Sequence, residues 1–191
     1  DGKLERESLR PTLFVPMTGT AEEQRQVHAD PEKPLLINGD FEAELPETGY
    51  VHGWYYQRQL QFKKSADSPS GRQYVTFQSD TPGRPSHLLQ GLALDGRAVK
   101  RVRLSTKVKL ENVSPGLDRF ELPAITIRFY GQQRDLLKTY WIGPFRGTRD
   151  WRTESKVFRV PEQSREAIVS IGLLGAVGTA SFDDVRLEVV E

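Results

Sequence analysis

From Leu35 onward, apolar and polar residues alternate in short runs that are separated by turn residues such as Pro82-Gly83, Asp95-Gly96 and Pro115-Gly116. Alternation with a period of two is typical of β-strands, and stretches of helical period are rare here. The pattern therefore predicts an all-β domain. The predicted strands are Leu35–Ile37, Trp54–Lys63, Gln73–Gln78, His87–Leu94, Arg101–Leu110, Ala124–Tyr130, Arg152–Val160, Ala167–Leu173 and Ser181–Val189. This number of strands suits a two-sheet antiparallel jelly-roll β-sandwich.

The alternation also predicts which face of each strand is buried. In Arg101–Leu110, the apolar face that we expect in the core carries Val102, Leu104, Thr106, Val108 and Leu110. In the next strand, Ile125, Ile127 and Phe129 alternate with Thr126, Arg128 and Tyr130. The two polar outer faces side by side are compatible with a ligand platform, and equally with ordinary solvated strand faces.

Residues 1–33 differ from the rest because they are highly charged and are broken by Pro11, Pro16 and Pro31. Thr20 and Glu23 have the spacing of a capping box, which predicts a short helix that continues to about His28. We interpret residues 1–33 as a linker or docking arm and residues 34–191 as the jelly-roll domain. A disordered tail is the alternative for the first segment.

Charge and composition exclude several function classes. The 191 residues carry 27 Lys and Arg against 26 Asp and Glu, a net charge of +1, so no nucleic-acid partner is expected. The absence of cysteine excludes disulfides and thiolate chemistry. No apolar run approaches the roughly 18 residues of a membrane span, and no signal peptide is evident, so we expect a soluble chain with no membrane partner.

Several short motifs follow one another in a characteristic order. They are Asn38-Gly39-Asp40-Phe41-Glu42, Gly53-Trp54, Ser70-Gly71, Gln90, Gly147-Thr148-Arg149-Asp150-Trp151, Phe158-Arg159-Val160-Pro161, Ile171-Gly172-Leu173 and Gly178 to Val185. Over residues 35–190 this set resembles the CenC-like carbohydrate-binding modules. The resemblance implies a galactose-binding-domain-like jelly roll, secreted or periplasmic, that has no catalysis of its own. It also implies a polysaccharide or glycan as partner, together with other domains of a larger secreted protein.

The same resemblance implies a structural calcium ion that ties the first strand to the last. Matched residue by residue, its ligands would be the Asp40 carbonyl, the Glu42 carboxylate and Asp183, with Ser70 at the middle position, where it offers a carbonyl or a hydroxyl. The site would lie away from the sugar-binding surface.

Strand parity gives an independent argument about Asp183. It shares the parity of Val185, Leu187 and Val189, which predicts that its carboxylate points to the interior while that of Asp184 points outward. An inward carboxylate needs compensation, and oxygen-rich neighbours such as Glu42 favour calcium. The alternative is that Asp183 accepts hydrogen bonds from backbone amides or pairs with an arginine.

Sugar recognition needs an exposed aromatic ring together with polar or charged groups. Trp54 and Trp151 match family positions that pack in or against the core, so we interpret both as structural. The candidate sugar-binding residues are Tyr55, Tyr56, Arg58, Arg128, Tyr130, Tyr140 and Trp141, the last two in a predicted connection from Gly131 to Phe145. The pair Tyr140-Trp141 is either an exposed sugar platform or buried beneath its own loop. Pro85 and Val169 stand near the positions of the sugar contacts of xylan-binding relatives and could not make those contacts.

Enzyme motifs are missing from the chain. His28, His52 and His87 lack the spacing of metal ligands, and nucleophile elbows, phosphate loops and dinucleotide fingerprints are absent. Asp183 and Asp184 are adjacent on a predicted strand, so their carboxylates could not flank one glycosidic bond. We therefore expect a non-catalytic carbohydrate-binding module. The alternative is a structural or protein-interaction sandwich that has lost its sugar site.

Overall fold

The computed structural model describes residues 30–43 and 51–191, and within them the secondary structure is entirely β. The strands are β1 Leu60–Lys64, β2 Gln73–Ser79, β3 His87–Ala93, β4 Arg101–Ser114, β5 Ala124–Tyr130, β6 Leu136–Ile142, β7 Gly147–Arg159, β8 Glu166–Gly172 and β9 Val177–Val190. The helix predicted from Thr20 to His28 lies outside the described residues, as does most of the predicted arm. In the described part of the chain there is no helix of the length and apolar character that crossing a bilayer requires.

The strands form two antiparallel sheets packed face to face. One sheet has five strands in the order β1-β2-β9-β4-β7, and the other has four in the order β3-β8-β5-β6. Neighbours in each sheet are mostly distant in sequence, as crossover connections between the two sheets of a jelly roll require. The predicted two-sheet jelly-roll β-sandwich is confirmed.

The core lies between the two sheets, and the strand faces that were predicted to be buried point into it. Val102, Leu104, Thr106, Val108 and Leu110 are all buried along β4. The four-stranded sheet contributes the inner faces of β5 and β8. The largest fully buried side chains include Phe41, Phe77, Phe129, Phe182, Leu88, Ile125, Ile127 and Ile171. Burying one such side chain is worth about 1.5–3 kcal/mol, so the cluster as a whole stabilises the sandwich strongly.

Two predicted strands at the beginning of the domain are wrong in part or in whole. Leu35–Ile37 is not a strand. The backbone N–H and C=O groups of Ile37 form hydrogen bonds with the side-chain amide of Gln90, and not with a neighbouring strand. Of the predicted strand Trp54–Lys63, only the end is regular. Tyr56 and Gln59 have positive φ angles of 54° and 56°, which strand geometry excludes, so β1 begins at Leu60.

The predicted connection from Gly131 to Phe145 is also wrong, because most of it is strand β6. The backbone amide of Gly131 donates to the Asp135 carbonyl over 2.9 Å, which closes a tight β5–β6 hairpin. Ile125 lies opposite Ile142, and Ile127 lies opposite Tyr140. This hairpin fixes the faces on which Tyr140 and Trp141 lie.

Candidate functional site

The loop between β1 and β2 is held by two carboxylates from distant parts of the chain. Glu42 Oε1 accepts hydrogen bonds from the backbone amides of Arg72 and Gln73, at 2.6 and 2.8 Å. Asp183 Oδ2 accepts from the Ser70 amide and the Ser68 hydroxyl, each at 3.1 Å. Glu42, Ser70 and Asp183, three of the four predicted metal ligands, therefore meet at this loop.

Asp183 is fully buried, but on the opposite side of the sheet from the one predicted. It lies opposite Lys107, and Lys107 belongs to the outer face of β4. The register of β4 and β9 shifts between Ser105 and Lys107, where Asp184 has a φ of 53°. This β-bulge inserts one residue into β9. Val185 and Asp183 therefore point to opposite faces of the sheet, although they are two residues apart. The β1–β2 loop, not the core, covers the carboxylate.

The two adjacent aspartates have different electrostatic environments. Burial raises the pKa of Asp183 to about 6, although hydrogen bonds from Asp184, Ser68 and Ser70 oppose this change. In the described chain no cationic side chain lies within 4.0 Å of Asp183. Asp184 instead pairs with Lys107 at 3.5 Å and with Arg186 at 2.6 Å. The alternative prediction was that Asp183 accepts hydrogen bonds from backbone amides or pairs with an arginine. The described structure contains the hydrogen bonds from backbone amides but no arginine partner.

The segment that carries Asp40 and Glu42 docks directly against β9. The Gly39 carbonyl accepts a hydrogen bond from the Val185 amide over 2.8 Å, and a Cβ atom at Gly39 would overlap the Val185 carbonyl. Asn38 accepts at its carbonyl from Trp54 Nε1 over 3.1 Å, and Trp54 is 3% exposed. The structural role expected for Trp54 is confirmed, and the first segment is tied to the last strand.

The donor chemistry at this loop consists of oxygen only, which suits calcium rather than zinc. Glu42 Oε1 lies against Gly71, where a Cβ atom would collide with it. The Asp40 side chain accepts a hydrogen bond from the Glu42 backbone amide over 3.4 Å. Among residues 30–43 and 51–191, three or more His, Cys, Asp or Glu side chains nowhere gather into a group that could hold a metal. A bound ion would therefore depend on backbone and hydroxyl oxygens as well.

The outer face of the four-stranded sheet brings together three of the seven predicted sugar-binding residues. We call this surface the platform face. Arg128 and Tyr130 lie on β5 and are half-buried, and Trp141 lies opposite Thr126 with 49% of its surface exposed. With strands about 4.8 Å apart, the platform face spans about 14 Å from β3 to β6.

Tyr140 does not join this surface, which corrects the prediction that Tyr140 and Trp141 act as a pair. Successive residues of a strand point to opposite faces, and Tyr140 lies opposite the buried Ile127. Its ring stacks on Phe158, with centroids 4.8 Å apart, and meets the edge of Phe129 at 6.1 Å. Tyr140 is therefore part of the packing between the sheets.

Three predicted residues form a rim beside β3. Tyr55 pairs with Leu89 through two backbone hydrogen bonds, and Tyr56, 64% exposed, stacks on His87 at 6.4 Å. Burial lowers the pKa of His87, and the positive charges of Arg58 and Arg128 lower it further. His87 is thus a neutral imidazole at physiological pH, which can both donate and accept hydrogen bonds.

Two residues of the platform face were missed by sequence reasoning. Thr126 and Ser170 lie opposite each other, are 0% and 3% exposed, and their hydroxyl oxygens have no hydrogen-bond partner in the described structure. Unsatisfied buried hydroxyls are uncommon, and a ligand or an ordered water usually accounts for them. His87 was also missed, although its position on the outer face of β3 is a sequence signal.

Trp151, predicted to be structural, packs on the five-stranded sheet. Its ring meets Tyr74 edge to face, with centroids 5.0 Å apart, and its surface is half-buried. Pro85 precedes β3, and Val169 is fully buried in β8. Neither residue offers a polar group to the platform face.

Comparison with solved structures places the fold among carbohydrate-binding modules and other jelly rolls. The chain is similar to a family 16 carbohydrate-binding module, with a TM-score of 0.54 and 16% identity over 82% of this chain and 99% of that one. It is similar to an apo cyclase from Fischerella sp., with a TM-score of 0.56 and 15% identity over 82% and 96% of the two chains.

A bacteriophage CBA120 tailspike protein 4 domain is also similar, with a TM-score of 0.61 and 14% identity over 81% of this chain. The chain matches only 21% of that tailspike chain. Family models and curated proteins gave no match. Identities this low show the fold alone, a β-sandwich like that of carbohydrate-binding modules.

Proposed function

We propose that this chain is a non-catalytic, CenC-like carbohydrate-binding module that attaches a secreted or periplasmic protein to a polysaccharide or glycan. The observation that carries the proposal is the exposed Trp141 ring on the same sheet face as Arg128 and Tyr130. An aromatic ring packs on the apolar face of a sugar, and guanidinium and phenol groups bond its hydroxyls.

A structural or protein-interaction domain is the second candidate function. Tyr140, one of the aromatic residues expected at the sugar site, is instead packed on Phe158. Pro85 and Val169 likewise provide no sugar contact. A domain of this kind would use its surfaces for other domains of the same protein, and its platform face would bind no glycan.

Affinity electrophoresis in gels that contain soluble polysaccharides distinguishes the two candidates. For Trp141→Ala we expect about tenfold weaker binding to whichever neutral polymer retards the wild-type chain, equivalent to about 1.4 kcal/mol of lost stacking. Phe120→Ala is the matched control, because Phe120 is 73% exposed on a loop outside the sheets. Equal retardation of the Trp141→Ala variant and the wild type would contradict the platform, and absence of retardation in every polymer would favour the second candidate.

We also propose that a structural calcium ion binds at the β1–β2 loop. Glu42, Asp183 and the Ser70 oxygens would hold it, together with the Asp40 carbonyl. Their proximity to one loop and the burial of Asp183 without a cationic side chain beside it in the described chain support this proposal. The ion would supply positive charge to two carboxylates and join the first segment, the loop and β9.

Removal of the metal should lower stability. Calcium at about 100 times its dissociation constant adds about 2.7 kcal/mol to the free energy of unfolding, so EDTA should lower the Tm measurably. Excess calcium should restore the Tm of the wild type but not that of Glu42→Gln. An unchanged Tm with EDTA would argue against a bound ion, and equal rescue of the Glu42→Gln variant would exclude Glu42 as a ligand.

A further inference from the structure

A cleft lies at the edge of the sandwich where strands β6 and β7 meet. We call it the β6–β7 groove. It has a volume of about 690 Å³. Its walls come from β6, the start of β4, the end of β7 and the loop that follows β7.

The β6–β7 groove concentrates positive charge without compensation. Arg101 and Arg159 lie directly opposite each other on β4 and β7, and Lys100 and Lys138 also line the groove. Among the described residues, none of these four cations has a carboxylate within 4.0 Å. Like charges directly opposite on neighbouring strands are destabilising, so the sandwich retains a repulsion that an anion would relieve.

One carboxylate, that of Glu162, is also part of the wall. The groove therefore carries four cations against a single acidic side chain. The excess is local, because the whole chain has a net charge of only +1.

Apolar residues also contribute to the groove. Leu137, Tyr140, Val160 and Pro161 line the same groove. The Tyr140 ring is fixed by its stack on Phe158, and the Lys138 ammonium lies 5.7 Å from its centroid. An apolar wall with cations along it suits a ligand that has both an apolar ring face and anionic groups.

We propose that the β6–β7 groove binds acidic oligosaccharides, with the sugar ring against the apolar wall and carboxylate or sulfate groups on Arg101 and Arg159. Arginine recognises both anionic groups in a bidentate manner, whereas a neutral sugar would leave the cations uncompensated. A nucleic acid fits less well, because among the residues that line the groove Tyr140 alone is aromatic, whereas single strands stack successive bases on several rings.

This site is independent of the platform face. Tyr140 faces the groove side of β6, whereas Trp141 faces the platform, so the two surfaces lie on opposite sides of one strand. The groove proposal can therefore hold whether or not neutral glycans bind at the platform face.

The test is affinity electrophoresis of the whole chain in polygalacturonate, dextran sulfate and unmodified dextran, which distinguishes carboxylate, sulfate and neutral ligands. For the double variant Arg101→Gln/Arg159→Gln we expect binding to the retarding acidic polymer to weaken tenfold or more, because both charged hydrogen-bond donors to the anionic group are lost. The control is the double variant Lys63→Gln/Arg119→Gln, which also removes two positive charges, but from exposed positions outside the groove. It should bind the acidic polymer as the wild type does. Raising the salt concentration should weaken binding of the wild type more than that of the groove variant.

Three outcomes of the electrophoresis would overturn the proposal. They are absence of retardation in both acidic polymers, equal loss in the control double variant, and loss with Trp141→Ala in place of the groove variant. Tighter binding of a single-stranded DNA oligonucleotide than of either acidic polymer would overturn it as well. Thermal unfolding of each variant verifies folding, and relief of the Arg101–Arg159 repulsion should leave the Tm of the groove variant equal or higher.

Discussion

Gly39→Ala is expected to lower the free energy of unfolding by about 3 kcal/mol, the upper part of the usual range for overpacking. A Cβ atom at this position would overlap the Val185 carbonyl, which is backbone and cannot rotate away. The segment around Gly39 would have to leave β9, and the 2.8 Å hydrogen bond from the Val185 amide would be lost. Urea unfolding followed by tryptophan fluorescence measures the change, because Trp54 donates to the neighbouring Asn38.

Gly91→Ala is the matched control for this change. Gly91 lies within β3, and an added Cβ would meet only the Glu166 side chain at an ordinary 3.7 Å. A strand position with room for a methyl group should tolerate alanine or gain slightly from it. If Gly39→Ala were as stable as Gly91→Ala, the close contact between the first segment and β9 would be refuted.

Tyr140→Ala should also cost about 3 kcal/mol of stability, as large-to-small changes in aromatic packing do. The substitution removes the stack on Phe158 and the edge contact with Phe129, and it leaves a cavity between β6 and β7. Because the ring points away from the platform face, binding of neutral glycan should not change. Denaturant unfolding and affinity electrophoresis on the same samples separate the two effects.

Trp141→Ala is the neighbouring control and should show the reverse behaviour. Trp141 is 49% exposed, so its removal should change the free energy of unfolding by less than about 0.5 kcal/mol. Its loss should weaken glycan binding instead. Similar stability losses for Tyr140→Ala and Trp141→Ala would mean that β6 does not hold the two rings on opposite faces.

The alternation of residues predicted the strands that have one buried and one solvated face. β4 is the clearest case, since Val102 to Leu110 follow strict period two and are buried as expected. β6 was missed because Leu136–Ile142 begins with two adjacent leucines and ends in Tyr-Trp-Ile, which obscures the period. Leu136–Ile142 is a strand because it pairs with β5 in a hairpin, and not because of its own residue pattern.

The errors at the candidate sites have a different origin. Burial of Asp183 was predicted correctly, but its face was not, because a single-residue bulge at Asp184 inverts every side chain before it. The roles of Thr126 and Ser170 depend on strands that are 44 residues apart and lie opposite each other only in the folded sheet. Pairings of this kind leave no trace in local sequence.

Gln90 has a consequence for how the domain opens. Its side-chain amide accepts from the Ile37 amide and donates to the carbonyls of Ile37 and Gly53, so one side chain replaces a ladder of strand hydrogen bonds. Residues 34–43 are thus held by discrete hydrogen bonds and by the buried Phe41 side chain, while β4 and β9 share a long ladder. Local opening of this segment should need only part of the global unfolding energy. We therefore expect the start of the domain to open as one cooperative unit that exposes Phe41, before either sheet unfolds.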